Sequence, residues 1–380
     1  MTWLALPWFV LSTTGSASRM SVVVAAEVAA YAVFGIPAGA LVSRLGARRS
    51  MLLADGLRAP LMLLVPVLHW TGDLSYPALV AFAFVIGALA TPYAPAQRVI
   101  VPELLGEDDA LVTRANALFQ TATRSTTLLG PPLAGALIGV IGATAVLVID
   151  ASTFCVSFTA VALFVPIAAR AVAADQDHGV LAGLRFLRRD PVLRVWAGSI
   201  TLGDAAWQVV FTGTPVLVFA HYGGHALLAG LILGGFGAGA VVGNMVAYRG
   251  FASGVPPRLI AAALIVQALP VALLACPVPG FALVVAMVIS GIGNGIANPT
   301  IHATLTLRPP PAVRAQVISA VFVASVIGAP VALLIAAPAF AHYGSRPVMA
   351  AAAAAQILAM LVLAHSIRRH ATALTRPEGD

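Results

Sequence analysis

Lysine is absent from this 380-residue chain, and all 21 of its basic residues are arginine. Without lysine the chain cannot form a phosphate-binding Walker loop or a Schiff base to pyridoxal phosphate or retinal. Charged residues make up only 9% of the sequence, whereas soluble domains contain about 25%. Because the hydrophobic fraction is 60% and the mean hydropathy is +0.97, the composition indicates a protein that lies in lipid.

Cysteine is scarce as well. The chain has two cysteines, Cys155 and Cys276, and they lie in separate apolar runs. Two cysteines are too few for a disulfide framework or a metal site. We expect both to pack in the interior as small hydrophobic residues, and we expect no metal and no cofactor. The formal net charge of +7 comes from short arginine clusters between apolar runs, a distribution that argues against nucleic-acid binding.

Motifs of membrane enzymes are also missing from the sequence. The chain contains no H-E-x-x-H, no G-x-S-x-G and no P-loop. The acidic run at 106–110 has no second acid-rich motif with which to hold magnesium, as a membrane prenyltransferase would need. We therefore interpret that run as a solvated loop and predict that the chain is not an enzyme.

Eleven apolar stretches are long enough to cross a bilayer, since a hydrocarbon core needs about 20 apolar residues per helix. The predicted spans are 20–42, 50–69, 76–97, 114–140, 143–167, 192–219, 225–248, 258–276, 279–303, 314–337 and 345–367. The segment at 2–16 precedes them, with an apolar part of only about 12 residues. We interpret it as the outer half of a first helix whose beginning is missing, through truncation or a misassigned start.

Arginine placement predicts the orientation, because cytoplasmic loops collect basic residues. One set of alternate loops contains only Arg19 and Arg346. The other set and the C-terminal tail contain Arg44, Arg48, Arg49, Arg114, Arg170, Arg185, Arg188, Arg189, Arg249, Arg258, Arg308, Arg314, Arg368, Arg369 and Arg376. We expect a bacterial inner-membrane protein, monomeric, whose C-terminus faces the cytoplasm.

The longest polar interval divides the chain. It predicts an N-terminal helical bundle at 1–168, a cytoplasmic linker at 169–191 and a C-terminal bundle with a short tail at 192–380. Within the linker, "VLAGLRFLRR" is amphipathic and could lie along the inner membrane surface.

The two halves of the chain resemble each other in one place. The segments 113–135 and 313–332 both have Arg-Ala near their start and a Gly near a Pro toward their end. Parallel repeats of this kind build one large class of transporters.

The stretch "GALVSRLGARRS" (39–50) closes an apolar run with several cations. It resembles the "GxLaDrxGrr" signature between the second and third helices of the major facilitator superfamily through Gly39, Leu41, Arg44, Gly46, Arg48 and Arg49. The resemblance implies a gating role, whereas the arginines alone would also suit an anchor on the cytoplasmic side. Ser43 stands where the family has an acid that joins a charge cluster and stabilises one access state. Asp55, with Arg58 one turn later, could supply a replacement pair.

A second stretch, "LLGPPLAG" (128–135), resembles the Gly-Pro motif on the fifth helix of the superfamily's antiporters. Pro131 and Pro132 each remove a backbone donor and would kink the helix, while Gly130 and Gly135 would permit close packing around the kink. Thr126 and Ala136 depart from the motif's glycines, so a kink without antiport remains the alternative. The stretches at 6–59, 93–105, 113–118 and 183–194 resemble the drug, macrolide and siderophore exporter branch.

Ionisable residues inside apolar spans are candidates for function, because a charge in hydrocarbon costs several kcal/mol. Glu27 and Asp204 are the best candidates for proton coupling, with Asp150 as a third. A structural acid held by hydrogen bonds is the alternative for each. Arg124 could pair with an acid or reach the cytoplasmic interface, and His302 lies near the inner end of its span.

Two glycine-rich spans carry polar residues as well. The spacing places Gly235, Gly239 and Gly243 on one stripe, and Gly291 and Gly295 on another. Such stripes are mostly sites of helix packing. Asn294 and Asn298 lie together on one side of their span and are candidate contacts for substrate or for conformational change.

These features predict an all-α polytopic membrane protein of the major facilitator type, with two six-helix bundles related by pseudo-twofold symmetry and an incomplete first helix. The resemblance implies a secondary transporter that exports hydrophobic or amphipathic small molecules by alternating access, driven by protons. The alternatives are a solute facilitator or importer of the same fold, or an inactive relative or membrane enzyme. The expected partners are a small-molecule substrate, protons and the lipid bilayer.

Overall fold

A computed structural model of the chain describes residues 2–93, 95–97, 100, 109–166, 180–250, 255–309 and 311–369. The described residues form helices and no strand. They divide into two compact units, Met1–Gln176 and Asp177–Asp380, and the division falls inside the interval 169–191.

Five helical elements of the first unit have bounds within the described residues. They are α1 (Thr2–Thr14), α2 (Ala17–Leu45), α3 (Ala47–Thr71), α4 (Tyr76–Ala90) and α5 (Asp109–Phe164). The second unit contains α6 (Val180–Arg189), α7 (Pro191–His221), α8 (Ala226–Gly250), α9 (Pro257–Ala268), α10 (Gly280–Leu307), α11 (Pro311–Tyr343) and α12 (Ser345–Arg369). A 3₁₀ helix, Leu269–Ala275, continues α9.

Ten stretches of the described chain are long and apolar enough to cross a membrane. One of them, Leu128–Phe164, is interrupted at Gly142, whose φ of +83° and ψ of 158° are not helical. Glycine tolerates such a positive φ because it has no Cβ. The interruption separates two helices, in agreement with the spans predicted at 114–140 and 143–167, and the multi-pass all-α fold is confirmed.

Local signals in the sequence account for several helix ends. Ser16 and Ser75 accept hydrogen bonds from Arg19 N and Ala78 N at the starts of α2 and α4. Asp190 does the same at the start of α7, where it accepts from two backbone amides. A capping oxygen satisfies donors that the first turn of a helix leaves without partners.

Helix α1 has 13 residues and is almost entirely buried from Leu4 to Leu11, where it packs against α2 and α5. In the second unit, α6 packs against α11 and α7 and places Leu187 in the core, while Arg185, Arg188 and Arg189 are exposed. This core also contains Trp196, whose Nε1 donates to Ser366 Oγ at 3.1 Å.

The expectation that both cysteines pack in the interior is wrong. Cys155 and Cys276 are free and exposed on the isolated chain. Both belong to apolar segments, in which side chains that face outward meet lipid rather than water. High local hydropathy therefore did not distinguish an interior position from a surface position.

Candidate functional site

The segment 39–49 covers the end of α2, the one-residue connection at Gly46 and the start of α3. Gly46 has a φ of +86°, its N–H bonds Val42 O at 2.8 Å, and α3 begins at the next residue. A side chain at this position would be strained by the positive φ. Glycine is therefore required here for the backbone turn, independently of any role in gating.

Arg48 joins the start of α3 to the end of α5. Its Nε donates to Val165 O at 2.6 Å and its Nη2 donates to Ala162 O at 2.8 Å. These carbonyls belong to the last turn of a helix, where a cation is favoured by the helix dipole. Arg44 and Arg49 are exposed. Arg48 thus ties the start of α3 to the end of α5 within the first unit.

Asp55, on α3, is 1% exposed and accepts a hydrogen bond from Ser157 Oγ on α5 at 2.6 Å. The hydroxyl groups of Ser157 and Tyr93 lie 3.0 Å apart and extend this network. Arg58 is close enough to Asp55 to interact with it electrostatically, and Ser157 Oγ donates directly to the carboxylate. The role of Asp55 and Arg58 as a replacement pair stays a prediction, since the side chain of Ser43 lies outside the described residues.

Arg58 occupies an unusual environment in the interior of α3. Its Cζ lies 4.1 Å from the centroid of the Phe154 ring, within cation–π distance. Its Nε is buried and has no hydrogen-bond partner among the described atoms. The described surroundings of the guanidinium are thus an aromatic ring and, through its charge, the carboxyl groups of Glu27 and Asp55.

Arg58 and Asp150 both lie near Glu27, although 123 positions of sequence numbering separate Glu27 from Asp150. Glu27 is 8% exposed and lies within electrostatic reach of both Arg58 and Asp150. Asp150 is 4% exposed and accepts a hydrogen bond from Thr2 Oγ1. Helix α4 approaches closely at this level, because a Cβ on Gly87 would lie 2.3 Å from Glu27 O. We call Glu27, Arg58 and Asp150 the acidic cluster of the first unit.

Asp204 lies in the second unit, on α7. It is exposed on the isolated chain, and its carboxylate accepts a hydrogen bond from Ser325 on α11. His302 on α10 is within electrostatic reach. Asn294 and Asn298 are half-buried and precede His302 at intervals of four residues, which puts all three on one face of α10. We call Asp204, Ser325 and His302 the polar cluster of the second unit.

The Gly-Pro motif lies inside a helix, and the kink predicted for it stays a prediction. Helix α5 runs through Pro131 and Pro132, and its non-helical residue is Gly142. Gly135 is buried, whereas a Cβ on Gly130 would meet no described atom within 4 Å. The side chain of Arg124 lies outside the described residues.

The glycine stripes of α8 and α10 interlock. A Cβ on Gly239 would lie 2.0 Å from Val288 O, and one on Gly291 would lie 2.1 Å from Phe236 O. The equivalent positions Gly243 and Gly295 show approaches of 2.2 Å to backbone oxygens. These glycines allow two backbones to come into contact, as small residues do in membrane helices.

Sequence reasoning did not find several of these polar partners. Ser157, Tyr93 and Ser325 are ordinary hydroxyl residues, for which the sequence offers no signal. Asp190 was detectable, because an Asp directly before a Pro favours a helix start. Its Oδ1 caps α7, and its Oδ2 accepts from Arg308 Nε at 3.0 Å, which ties the start of α7 to the end of α10.

The multi-pass helical fold defines an integral membrane protein, and acidic residues lie inside its spans. The sequence matches the Major Facilitator Superfamily over residues 1–333. The multidrug efflux pump Tap of Mycolicibacterium fortuitum is 31% identical over 205 residues, which cover 52% of this chain and 50% of that protein. The multidrug efflux pump Tap of Mycobacterium tuberculosis (strain ATCC 25618 / H37Rv) is 26% identical over 353 residues, which cover 88% and 81%.

The crystal structure of the nucleoside transporter NupG has a TM-score of 0.74 with 14% identity, covering 99% of this chain and 95% of that one. At this identity the likeness shows the fold alone. The chain belongs to the Major Facilitator Superfamily, a family of membrane transporters.

Proposed function

We propose that this chain exports hydrophobic or amphipathic small molecules, of the drug, macrolide or siderophore class, in exchange for protons. The observation that carries the proposal is the pair of polar clusters within membrane-spanning helices, one in each unit. Each cluster contains a carboxyl group, Glu27 in one and Asp204 in the other. The similarity to multidrug efflux pumps supports export as the direction of transport.

A carboxyl group in a membrane span is costly when ionised and unpaired, so its presence favours a functional role. In a proton-coupled exporter such a group takes up a proton from one side and releases it to the other. Arg58 supports this assignment for Glu27, because a nearby fixed cation favours the ionised form when the proton leaves. In the second unit, substrate that binds near Asp204 would compete with the proton for that carboxyl group.

Alternating access supplies the transport step, as the substrate site opens in turn to each side of the membrane. Alternating access requires that the helices of the first unit keep their packing against each other while the unit moves. Arg48 supports this role through its bonds to the end of α5, and the hydrogen bond between Ser157 and Asp55 supports it from deeper in the membrane. The segment 39–49 therefore serves as a brace within the unit as well as a gating element.

We further propose a monomer in the bacterial inner membrane with its C-terminus in the cytoplasm. The arginine distribution supports this topology, because alternate connections differ strongly in their basic content. Reporter fusions at the C-terminus that are active only in the cytoplasm or only outside it test the orientation directly. Activity of the external reporter would contradict it.

Proton exchange is tested in everted membrane vesicles that are acidified inside. A macrolide, a siderophore or a lipophilic dye is added outside, and the internal pH is followed with a quenched amine dye. We expect each transported compound to raise the internal pH, and Glu27→Gln or Asp204→Asn to abolish the change. Asp73→Asn is the matched control, because Asp73 is exposed beyond the end of α3.

The outcomes separate the alternatives. Compound movement without a pH change would remove proton coupling and favour a facilitator. Uptake into intact cells that follows the compound's gradient would favour an importer. Absence of compound movement for every class would contradict the export proposal and favour an inactive relative.

A further inference from the structure

A groove of about 490 Å³ runs between α9 and α12 on the surface of the second unit. Its lining is apolar except at one end. The apolar lining residues are Ala261, Ala262, Ile265, Leu361, Val362 and Ala364. His365 and Arg368 form the polar end.

Two buried alanines form the floor of the groove, where larger side chains would fill it. Ala261 is 2% exposed and Ala364 is 4% exposed, and both belong to the core of the unit. The walls are formed by outward-facing side chains, of which Leu361 and Val362 are 46% and 41% exposed. In a membrane span such side chains face hydrocarbon, so the groove is open to lipid rather than to water.

One arginine, Arg368, lines the groove, and a second, Arg258, precedes the lining residues of α9. Arg258 and Arg368 are both exposed, near the first residue of α9 and the last residue of α12. Arg258 precedes Ala261, Ala262 and Ile265 by three, four and seven residues, so it lies on the same stripe of α9 as the groove. Arg258 and Arg368 thus lie at the helix ends, where spans leave the hydrocarbon and meet the headgroups.

The length of the groove suits one leaflet. From Arg258 to Ile265 the helix rises about 10 Å, and half of a hydrocarbon core is about 15 Å. An acyl chain can therefore lie along the alanine floor while its phosphate stays level with the arginines. Arginine forms strong, directional hydrogen bonds to phosphate.

We propose that this groove is a binding site for an anionic phospholipid of the inner leaflet, with one acyl chain between α9 and α12 and the headgroup phosphate held by Arg258 and Arg368. The assignment to the inner leaflet uses the arginine-based orientation, and the site itself does not depend on the transport activity. A second groove lined by Leu269, Phe281 and Ala282 has no charged lining residue and supplies a comparison within the same unit.

Native mass spectrometry of the purified full-length chain tests the site. The protein is titrated with phosphatidylglycerol or with phosphatidylcholine of the same acyl chains, and the lipid-bound fraction is measured. We expect tighter binding of phosphatidylglycerol, weakened about fivefold by Arg258→Gln and about fivefold by Arg368→Gln. Arg249→Gln is the charge-matched control, because Arg249 is exposed in the last turn of α8 and does not line the groove.

A second pair of variants tests the apolar part of the site. Ala262→Trp fills the groove without changing charge, and we expect it to weaken phosphatidylglycerol binding severalfold. Ala282→Trp in the uncharged groove should leave that binding unchanged. Three outcomes would each overturn the proposal. The first is equal affinity for the two lipids, and the second is a loss of phosphatidylglycerol binding in Arg249→Gln as large as in Arg258→Gln or Arg368→Gln. The third is full binding by Ala262→Trp, which would show attraction of the headgroup alone.

Discussion

The contact between α8 and α10 makes a sharp prediction for Gly239→Ala. A Cβ at this position would lie 2.0 Å from Val288 O and 2.9 Å from Ile292 N. Both atoms belong to a helix backbone, which cannot move aside as a flexible side chain can. The two helices must therefore separate by more than 1 Å, and the reciprocal contact of Gly291 with Phe236 O would loosen with them.

The expected cost combines two opposing effects. Alanine in a helix interior is favoured over glycine by about 1 kcal/mol, whereas overpacking an interface costs about 1–3 kcal/mol. Because the backbones meet on both sides of this contact, we expect the upper part of that range and a net loss of about 1–2 kcal/mol. For a folded unit of about 200 residues this lowers Tm by roughly 2–8 °C.

Gly198→Ala is the matched control. Gly198 lies inside α7 of the same unit, and a Cβ there would meet no described atom within 4 Å. Thermal unfolding in detergent, followed by tryptophan fluorescence, should give a Tm that is unchanged or raised for Gly198→Ala and lowered for Gly239→Ala. If the two variants unfolded at the same temperature, the backbone contact could not be the reason for glycine at 239.

Arg48→Gln removes two charge-assisted hydrogen bonds and should destabilise the first unit by roughly 2 kcal/mol. Arg49 is exposed, so Arg49→Gln should leave the Tm nearly unchanged. An equal loss of Tm in the two variants would contradict the role of Arg48 as a brace. Asp190→Asn and Arg308→Gln should lower the Tm equally, because each removes only the ion pair. Asp190→Ala should cost about 1 kcal/mol more, because it also removes the cap of α7. A Tm of Asp190→Ala equal to that of Asp190→Asn would refute this. Asp55→Asn should slow transport and shift the access-state populations, measured by cysteine labelling from each side of the membrane. Unchanged values of both would end the idea that Asp55 replaces the missing acid.

Most of the fold was predictable because hydrocarbon imposes simple rules on a chain. A span has to be apolar over about 20 residues and has to satisfy its own backbone, so span positions follow from composition alone. The pair of helices on either side of Gly142 was predictable for the same reason. The fate of Cys155 was not, since lipid-facing and interior residues of a span have the same apolar character.

The partners of the candidate site residues were less predictable. Glu27 and Asp150 stand out in sequence as single acids in apolar runs, but nothing local indicates that Asp150 and Arg58 both lie near Glu27. Ser157 could not be singled out from other hydroxyl residues, and its role depends on which face of α5 turns toward α3. The kink predicted at the Gly-Pro motif stays a prediction, and the non-helical residue described in α5 is Gly142.

The sequence by itself thus determined that this chain crosses the membrane many times, which family it resembles and which ionisable residues lie in its spans. These properties depend on composition and short spacing. Only the tertiary structure decided that Arg48 holds the last carbonyls of α5, that Asp55 pairs with Ser157, and that the glycines of α8 and α10 face each other. Those contacts join residues far apart in the chain, and they are set by the rotation and close approach of whole helices rather than by any local pattern.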